Sequence, residues 1–189
     1  MRIIGITGPT GAGKSTVCNE LKKRGAEIID ADRISREVSQ KNGEAFDEII
    51  ECFGKDILKA DGEIDRKKLG GIVFDDKDKL GMLNSITHKH IFIRMREQIS
   101  ASESNIVVLD VPLLFQPDFP FQCDLTVAVI AKPEVRIERI MERDGISCEQ
   151  AMSRMKNQMS NAEYQALADR CFENDGDIKD IAEFVDSII

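Results

Sequence analysis

Apolar runs and amphipathic stretches alternate along the chain, and the two patterns predict different elements. Apolar runs at 3–6, 106–109 and 125–130, with a shorter segment at 27–30, are typical of strands buried on both faces of a sheet. Stretches with helical periodicity separate them. Strands of this kind with helices between them predict a parallel sheet covered on both sides, which is an α/β architecture.

Many of the helical stretches fall between the second and third predicted strands. The segment 34–100 is a mostly helical insertion between two strands, a natural place for a second substrate pocket over the carboxyl ends of the sheet. A short apolar element is also predicted around Cys171 and Phe172. The predicted helices are 14–24, 34–38, 45–53, 66–74, 79–99, 133–143, 148–159 and 178–188.

A glycine-rich segment directly follows the first strand. It reads GPTGAGKS over residues 8–15 and matches the phosphate-binding loop G-x-x-x-x-G-K-[ST] at every fixed position. The glycines let the backbone wrap a polyphosphate, and the next helix aims its N-terminal N–H groups at the anion. Lys14 would then reach the β- and γ-phosphates, and the Ser15 hydroxyl would ligate Mg²⁺. The alternative, a glycine-rich turn that binds nothing, is disfavoured by the strand before it and the helix after it.

Aspartates follow two of the predicted strands, at the end where open parallel sheets carry their chemistry. Side chains alternate along a strand, so one of Asp30 and Asp32 can face the cleft, where an acceptor alcohol needs a carboxylate to take its proton. The competing interpretation is that one aspartate only caps the helix near Ile34. Asp110 is expected to hold Mg²⁺, directly or through water, with a strand-end turn beside Pro112 as the alternative.

Three arginines lie on one face of the predicted helix 133–143. Arg136, Arg139 and Arg143 are spaced at i, i+3 and i+7. The segment 132–158 has slightly more basic than acidic side chains in an acidic chain, so it could supply the pocket that an anionic nucleotide needs. Arginines on a mobile lid would clamp a transferred phosphoryl group. Ion pairs with the glutamates of the same helix are the open alternative.

Three further basic side chains lie in the helical insertion. His88 and His90 are two residues apart in a predicted helix and point to different sides, which disfavours a shared metal. Phosphate contact by one of them and a polar packing role are both open. Arg66 begins a helix after a turn at Gly62, and it either reaches an anionic substrate or forms only a salt bridge.

Composition narrows the class of protein. With 189 residues the chain is most simply one domain that buries about 70% of its unfolded surface. The net charge of −8 disfavours a nucleic-acid surface. The apolar stretch before Gly8 is shorter than expected for a signal peptide, and no window approaches 18 uninterrupted apolar residues. We expect a cytoplasmic protein without membrane or nucleic-acid partners, as a monomer or weak homo-oligomer. The five cysteines, without a C-x-x-C, are expected to be reduced and mostly buried.

Taken in order, these residues resemble the dephospho-coenzyme A kinase family over nearly the whole chain. The loop alone names only a superfamily, whereas the segment 30–32, the PLLF segment at 112–115 and the arginine-rich segment together are much more specific. The matching positions are 8–16, 29–32, 36–38, 53–54, 61–66, Leu69, Phe74, 83–84, His88, 111–115, Arg139, 143–145, Arg154, Gln158, 168–169 and Asn174.

The resemblance implies ATP-dependent phosphorylation of the ribose 3′-hydroxyl of dephospho-coenzyme A, the last step of coenzyme A synthesis. It implies a P-loop kinase three-layer fold with a parallel five-stranded sheet, a helical substrate-binding insertion and a lid. Asp32 becomes the general base and Arg143 the lid arginine at the phosphates. The expected sites are catalytic Asp32, Lys14 and Arg143; ATP-binding Gly11, Ala12, Gly13, Lys14, Ser15, Thr16 and Arg139; acceptor-binding Asp32, Arg66, His88, Pro112 and Leu113; and, for Mg²⁺, Ser15 and Asp110.

One kinase domain is expected, with its parts interleaved along the chain. The core is assigned to 1–32, 104–132 and 161–189, the coenzyme A-binding insertion to 33–103 and the lid to 133–160. Some positions depart from the family pattern, and they bear on the substrate pocket more than on the reaction. These are Gln116 in place of the usual Glu, Lys89 in place of Pro, Arg170 and Cys171 at usually apolar positions, and Pro9-Thr10 in place of Gly-Ile.

Two other functions fit parts of the pattern. A kinase of another small alcohol or nucleotide would share the fold, since a fold does not fix the substrate. A P-loop switch protein would bind a nucleotide to regulate a partner. The sequence has no Asn-Lys-x-Asp guanine-specificity segment, and its helical insertion is unlike a short switch loop.

Overall fold

The computed structural model describes residues 1–156, 158–176 and 178–189, and a five-stranded parallel sheet lies at its centre. The strands are β1 (Arg2–Thr7), β2 (Glu27–Asp30), β3 (Ile106–Asp110), β4 (Leu125–Ile130) and β5 (Arg170–Glu173). Their order is β2-β3-β1-β4-β5, so β1 is the central strand. Ile4 of β1 is in register with Val108 of β3 and with Leu125 of β4. The predicted α/β fold is confirmed.

Helices connect and cover these strands, and most of them match the predicted periodicity. They are α1 (Lys14–Lys23), α2 (Ala31–Ser39), α3 (Phe46–Phe53), α4 (Arg66–Val73), α5 (Lys77–Ala101), α6 (Pro133–Asp144), α7 (Cys148–Met155), α8 (Asn161–Leu167) and α9 (Ile178–Asp186), with a 3₁₀ turn at Lys55–Ile57. In the described part of the chain, no helix combines the length and apolar character needed to cross a membrane.

The chain divides into two compact units. The first comprises residues 1–29 and 102–189 and contains the sheet core. Its hydrophobic cluster joins buried side chains of β1, β3 and β4 to Val17 and Leu21 of α1 and to Val185 of α9. Phe172 of β5 stacks on Phe184 with a centroid distance of 4.6 Å. Full burial of a large apolar side chain contributes roughly 1.5–3 kcal/mol, so this cluster fixes the strands whose ends carry the site.

The second unit, residues 30–101, is helical and has its own core. Ile34 and Val38 of α2, Ile49 of α3 and Met95 of α5 are buried. The assignment of 33–103 as a substrate-binding insertion and of 133–160 as a lid stays a prediction, and Asn157 of that lid lies outside the described residues.

The structure moves two helix boundaries by three or more residues and corrects one expectation about the cysteines. Helix α2 begins at Ala31, three residues before the expected start, because Asp30 caps it. Helix α7 ends at Met155, and a separate helix α8 follows, because Ser160 and Glu163 form a capping box that starts a new helix. The expectation of mostly buried cysteines is wrong. Of the five free thiols only Cys18 is buried, and Cys148 is exposed because it begins a surface helix.

Candidate active site

The segments of the site follow the carboxyl ends of neighbouring strands in the first unit. The glycine-rich loop follows β1, Pro112 lies just after β3, α6 follows β4 and Asn174 follows β5. Because these strands are parallel, their carboxyl ends lie at one edge of the sheet, where open α/β sheets bind their ligands.

The N-terminus of α1 presents N–H groups that are ready to receive an anion. Gly13 caps this helix in the left-handed conformation (φ 89°), and no side chain bonds the exposed helix end. Across the described residues, the backbone N–H groups of Gly13, Lys14 and Ser15 meet no acceptor, and the Lys14 and Ser15 side chains have no hydrogen-bond or ion-pair partner. The helix dipole adds partial positive charge at this end. These groups together form an anion cradle.

Arg139 and Asn174 form hydrogen bonds to backbone carbonyl oxygens of the loop. Nη1 of Arg139 donates to the carbonyl oxygens of Gly11 and Ala12, each at 3.4 Å, and to that of Asn174 at 3.0 Å. The buried Asn174 side chain donates to the Ala12 carbonyl at 2.8 Å. These bonds fix the turn of the loop, so the structure brings Arg139 to the predicted ATP site while its contact with ATP stays a prediction.

Arg136 also contacts the loop. It was one of the three arginines on the predicted helix face but was not among the expected site residues. Its side chain is buried, and its Nε donates to the Thr10 carbonyl at 2.9 Å. Its Nη2 donates to Oε1 of Gln158 at 2.9 Å, and the same oxygen accepts from the Thr10 N–H at 3.1 Å. Burial lowers the pKa of the Arg136 guanidinium. The signal for Arg136 was its place one helical turn before Arg139, on the same face of α6.

Arg143 pairs with its neighbour, and no contact with the loop is seen in the described residues. It forms two hydrogen bonds to the Asp144 carboxylate, at 2.8 and 2.9 Å, with its side chain 60% exposed. Arg154 donates to the same carboxylate. The hydrogen bond from Arg143 is the main reason why the pKa of Asp144 falls to about 2. Within the described parts of the chain, the glutamates of α6 form no ion pair with its three arginines. The alternative that the arginines pair with glutamates of their own helix is therefore wrong, and Arg143 pairs with Asp144 instead.

Asp110 ends β3 beside the strand that leads into the loop. It is in register with Ile6 and half-buried, and its Oδ2 accepts a weak bond from the Cys18 thiol of α1 at 3.7 Å. The Ser15 hydroxyl is exposed in the first turn of α1. Both groups carry oxygen donors, the ligands that Mg²⁺ prefers.

The two aspartates of the second unit have different roles. Oδ1 of Asp30 accepts from the Arg33 N–H at 2.9 Å, so Asp30 is the cap of α2. Asp32 lies exposed in the first helical turn, and its carboxylate has no partner within the described residues. The expectation that the side chains of Asp30 and Asp32 follow the alternation of a strand is wrong, because the strand ends at Asp30 and the helix begins at Ala31. The capping role falls on Asp30, which leaves the Asp32 carboxylate available.

Each unit contains a cavity that includes predicted acceptor residues. In the first unit a cavity of about 260 Å³ is lined by Pro112, Leu113 and Tyr164 together with Gly8 of the loop. In the second unit a cavity of about 280 Å³ is lined mostly by apolar side chains and by Arg66, whose Nη2 donates to a backbone carbonyl of α2 at 3.3 Å.

The two histidines of α5 have separate neighbours, as their spacing predicted. The His88 ring lies 5.5 Å from that of Phe92. Nε2 of His90 lies 2.8 Å from Oε1 of Glu48 on α3, so that histidine packs against another helix of the second unit. A contact of His88 with a phosphate stays a prediction.

Comparisons with known proteins agree over almost the full length. The dephospho-CoA kinase family model matches residues 2–180. A dephospho-CoA kinase from Carboxydothermus hydrogenoformans is 40% identical over 99% of this chain and 92% of its own. The crystal structure of a Thermus thermophilus protein superposes with a TM-score of 0.88 and 30% identity, covering 99% of this chain and 95% of that one.

A dephospho-CoA kinase from Campylobacter jejuni has the same fold, with a TM-score of 0.63 and 27% identity over 99% of this chain and 95% of that one. The resemblance of the loop, the aspartate segment and the arginine-rich helix is therefore confirmed at the level of the whole chain. The chain belongs to the dephospho-CoA kinase family, the kinases that phosphorylate dephospho-CoA to coenzyme A in the last step of coenzyme A biosynthesis.

Proposed function

We propose that the first unit binds ATP at the loop after β1. The γ-phosphoryl group of this ATP is transferred to the ribose 3′-hydroxyl of dephospho-coenzyme A. One observation carries the proposal: the N–H groups of Gly13, Lys14 and Ser15 point from a helix N-terminus with no acceptor among the described residues, beside an unpaired lysine. A polyphosphate supplies the acceptor oxygens and the negative charge that this arrangement requires. Lys14 neutralises oxygens of the β- and γ-phosphates.

Mg²⁺ fits the oxygen donors next to this cradle. Ser15 offers an unpaired hydroxyl, and Asp110 offers a carboxylate at the end of the neighbouring strand. These two residues would hold the ion, Asp110 directly or through water. When bound, Mg²⁺ neutralises charge that develops on the phosphate oxygens.

Asp32 is the proposed general base for the acceptor hydroxyl. Its carboxylate is exposed and not used as a helix cap, since Asp30 has that role. A carboxylate that accepts a hydrogen bond from the hydroxyl orients the oxygen for in-line attack and takes its proton late, as a loose phosphoryl-transfer transition state allows.

Arg143 and Arg139 are proposed to complete the phosphate site from α6. Arg139 already donates to the loop's carbonyl oxygens. Arg143 is exposed and would exchange its Asp144 partner for phosphate oxygens when a nucleotide is bound. Donors aimed at the transferred group stabilise charge in the transition state and exclude water.

The acceptor is proposed to use surfaces in each unit. Pro112 and Leu113 line the cavity of the first unit, and Arg66 lines that of the second. Arg66 supplies positive charge for the diphosphate of the acceptor, and His88 is a further candidate contact. We also propose that the protein is cytoplasmic and that it is a monomer or a weak homo-oligomer.

The test is an ADP-release assay with and without acceptor. ATP with dephospho-CoA should release ADP rapidly, whereas AMP, adenosine or no acceptor should not. Lys14→Ala should abolish the release, while Lys22→Ala, a charge removed from the exposed face of the same helix, should leave it unchanged. Equal ADP release with and without dephospho-CoA, or full activity of Lys14→Ala, would contradict the proposal.

A further inference from the structure

Both backbone groups of Thr10, in the first half of the phosphate-binding loop, are bonded to side chains from outside the loop. The Thr10 carbonyl accepts from Nε of Arg136 at 2.9 Å, and the Thr10 N–H donates to Oε1 of Gln158 at 3.1 Å. Nη2 of Arg136 closes the triangle by donating to the same Gln158 oxygen at 2.9 Å. A planar guanidinium has its donors in a fixed fork, so this network sets the orientation of the Thr10 peptide as well as its position.

The network joins elements that lie far apart along the chain. Arg136 comes from α6, after β4, and Gln158 lies between α7 and α8. Nothing in the loop's own sequence makes these bonds. The loop's second half is held separately, by Arg139 and Asn174 at the Gly11 and Ala12 carbonyls. The first half therefore depends on Arg136 and Gln158.

Arg136 also brings a buried positive charge to the loop. It is 5% exposed, and no carboxylate lies within ion-pair distance of its guanidinium among the described residues. A buried charge without a counter-ion is costly, so a nearby anion is favoured. The polyphosphate of a bound nucleotide would reduce this cost.

We propose that Arg136 is a positioning residue for nucleotide binding, which acts with Gln158 by orienting the Thr10 peptide and by adding positive charge behind the loop. The inference rests on the proposed function, because it requires the loop to bind ATP. It predicts that variants of Arg136 and of Gln158 both bind phosphate more weakly. Affinity for the acceptor should be unchanged in the Arg136 variants, because Arg136 does not line the cavity proposed for the acceptor, whereas Gln158 does. A purely structural role of Arg136 would instead lower folding stability and leave nucleotide affinity normal in the folded fraction.

Calorimetric titration of the full chain with ATP, and separately with inorganic tripolyphosphate, tests the proposal. Hydrogen bonds to a charged group contribute about 1.5–3 kcal/mol, so Arg136→Met should weaken both Kd values by about 10- to 100-fold. Arg136→Lys, which keeps the charge without the fork, should recover part of this loss. The KM for ATP should rise with the Kd, and the KM for dephospho-CoA should stay within about twofold of the wild type.

Gln158→Ala is the second variant, because Gln158 is exposed and its removal leaves the core intact. It should weaken ATP binding in the same direction, and in the Arg136→Met background it should add less than about twofold, since both side chains act through Thr10. Lys22→Gln, which removes an exposed positive charge, is the matched control and should bind ATP normally.

Wild-type ATP affinity in Gln158→Ala, or in folded Arg136→Met, would overturn the inference. So would fully additive losses in the double variant, because independent effects would mean that the two side chains do not share Thr10. A wild-type chain that binds no ATP would contradict the proposed function itself, and the two failures are thus distinguishable.

Discussion

Gly13 and the side chain of Asn174 approach each other so closely that no methyl group fits between them. A Cβ atom at position 13 would lie 2.2 Å from Nδ2 of Asn174, which is buried and bonded to the Ala12 carbonyl. Gly13 also has a φ of 89°, which L-residues rarely adopt. Only glycine is therefore accommodated at position 13, where the helix of the anion cradle begins. The residue that imposes this restriction, Asn174, follows β5 and lies about 160 positions further along the chain.

Replacing Gly13 separates this steric contact from backbone strain, because Gly25 supplies a control. Gly25 also has a φ of 89°, but nothing lies within 4 Å of its Cβ position. Gly25→Ala should cost about 1–2 kcal/mol of unfolding free energy from strain and leave ATP binding unchanged. Gly13→Ala should cost more and abolish ATP binding. Denaturant unfolding and ATP titration measure both, and equal effects of the two substitutions would contradict the assigned contact.

The two aspartates at the start of α2 should separate stability from activity. Asp32→Asn should lower kcat by about 10² to 10⁴, the usual contribution of a positioned general base, with normal stability and a normal KM for ATP. Asp30→Ala should lose the helix cap and about 0.5–2 kcal/mol of unfolding free energy. Steady-state kinetics and urea unfolding check both. If Asp32→Asn keeps wild-type kcat while Asp30→Asn is inactive, the two roles have been exchanged.

Arg143→Ala should lower kcat by roughly 10² or more if this arginine clamps the transferred phosphoryl group. The side chain is exposed and its partner is only Asp144 among the residues described, so stability should change little. Arg154→Ala removes another arginine from the same carboxylate and is the matched comparison, with kcat expected near the wild-type value. Similar kcat values for the two variants would exclude a special role for Arg143.

The pairing of Arg143 with Asp144 also predicts that the Asp144 carboxyl titrates at a lower pH than an ordinary aspartate. Asp144 has a pKa of about 2 in the folded chain against 3.8 as its ordinary value. Because the folded value is the lower one, the pair contributes stability above about pH 4 and loses that contribution as the pH falls towards 2. The carboxyl ¹³C resonance of Asp144 should show this midpoint. Arg143→Gln should raise it towards 3.8 more than Arg154→Gln does, and an unchanged midpoint in Arg143→Gln would refute the pairing in solution.

The sheet and most helices could be predicted from the sequence because their signals are local. The apolar run before Gly8 and the helix stop at Gly25 are examples of such signals. Helix α8 carried a local signal as well, the capping box of Ser160 and Glu163. The break before it was missed because Met159 follows Met155 at the four-residue spacing of a helix.

The supporting contacts of the loop could not be predicted in the same way. Arg136 and Gln158 bond to each other and to the Thr10 peptide, and no sequence spacing encodes these contacts. Arg143 was expected at the phosphates, whereas among the described residues it donates two hydrogen bonds to the adjacent Asp144 carboxylate. Side-chain partners at a ligand site depend on which anion is present, and that information is not in the periodicity of the chain.

The most direct test of the account is to identify the product of the reaction. The chain is incubated with ATP, Mg²⁺ and dephospho-CoA, and the products are followed by ³¹P NMR with ¹H correlation to the ribose. The account predicts equal amounts of ADP and of a new phosphate monoester coupled to the ribose 3′ proton, with neither product formed by Lys14→Ala. ADP with free inorganic phosphate and no monoester, or a monoester at another hydroxyl, would contradict it.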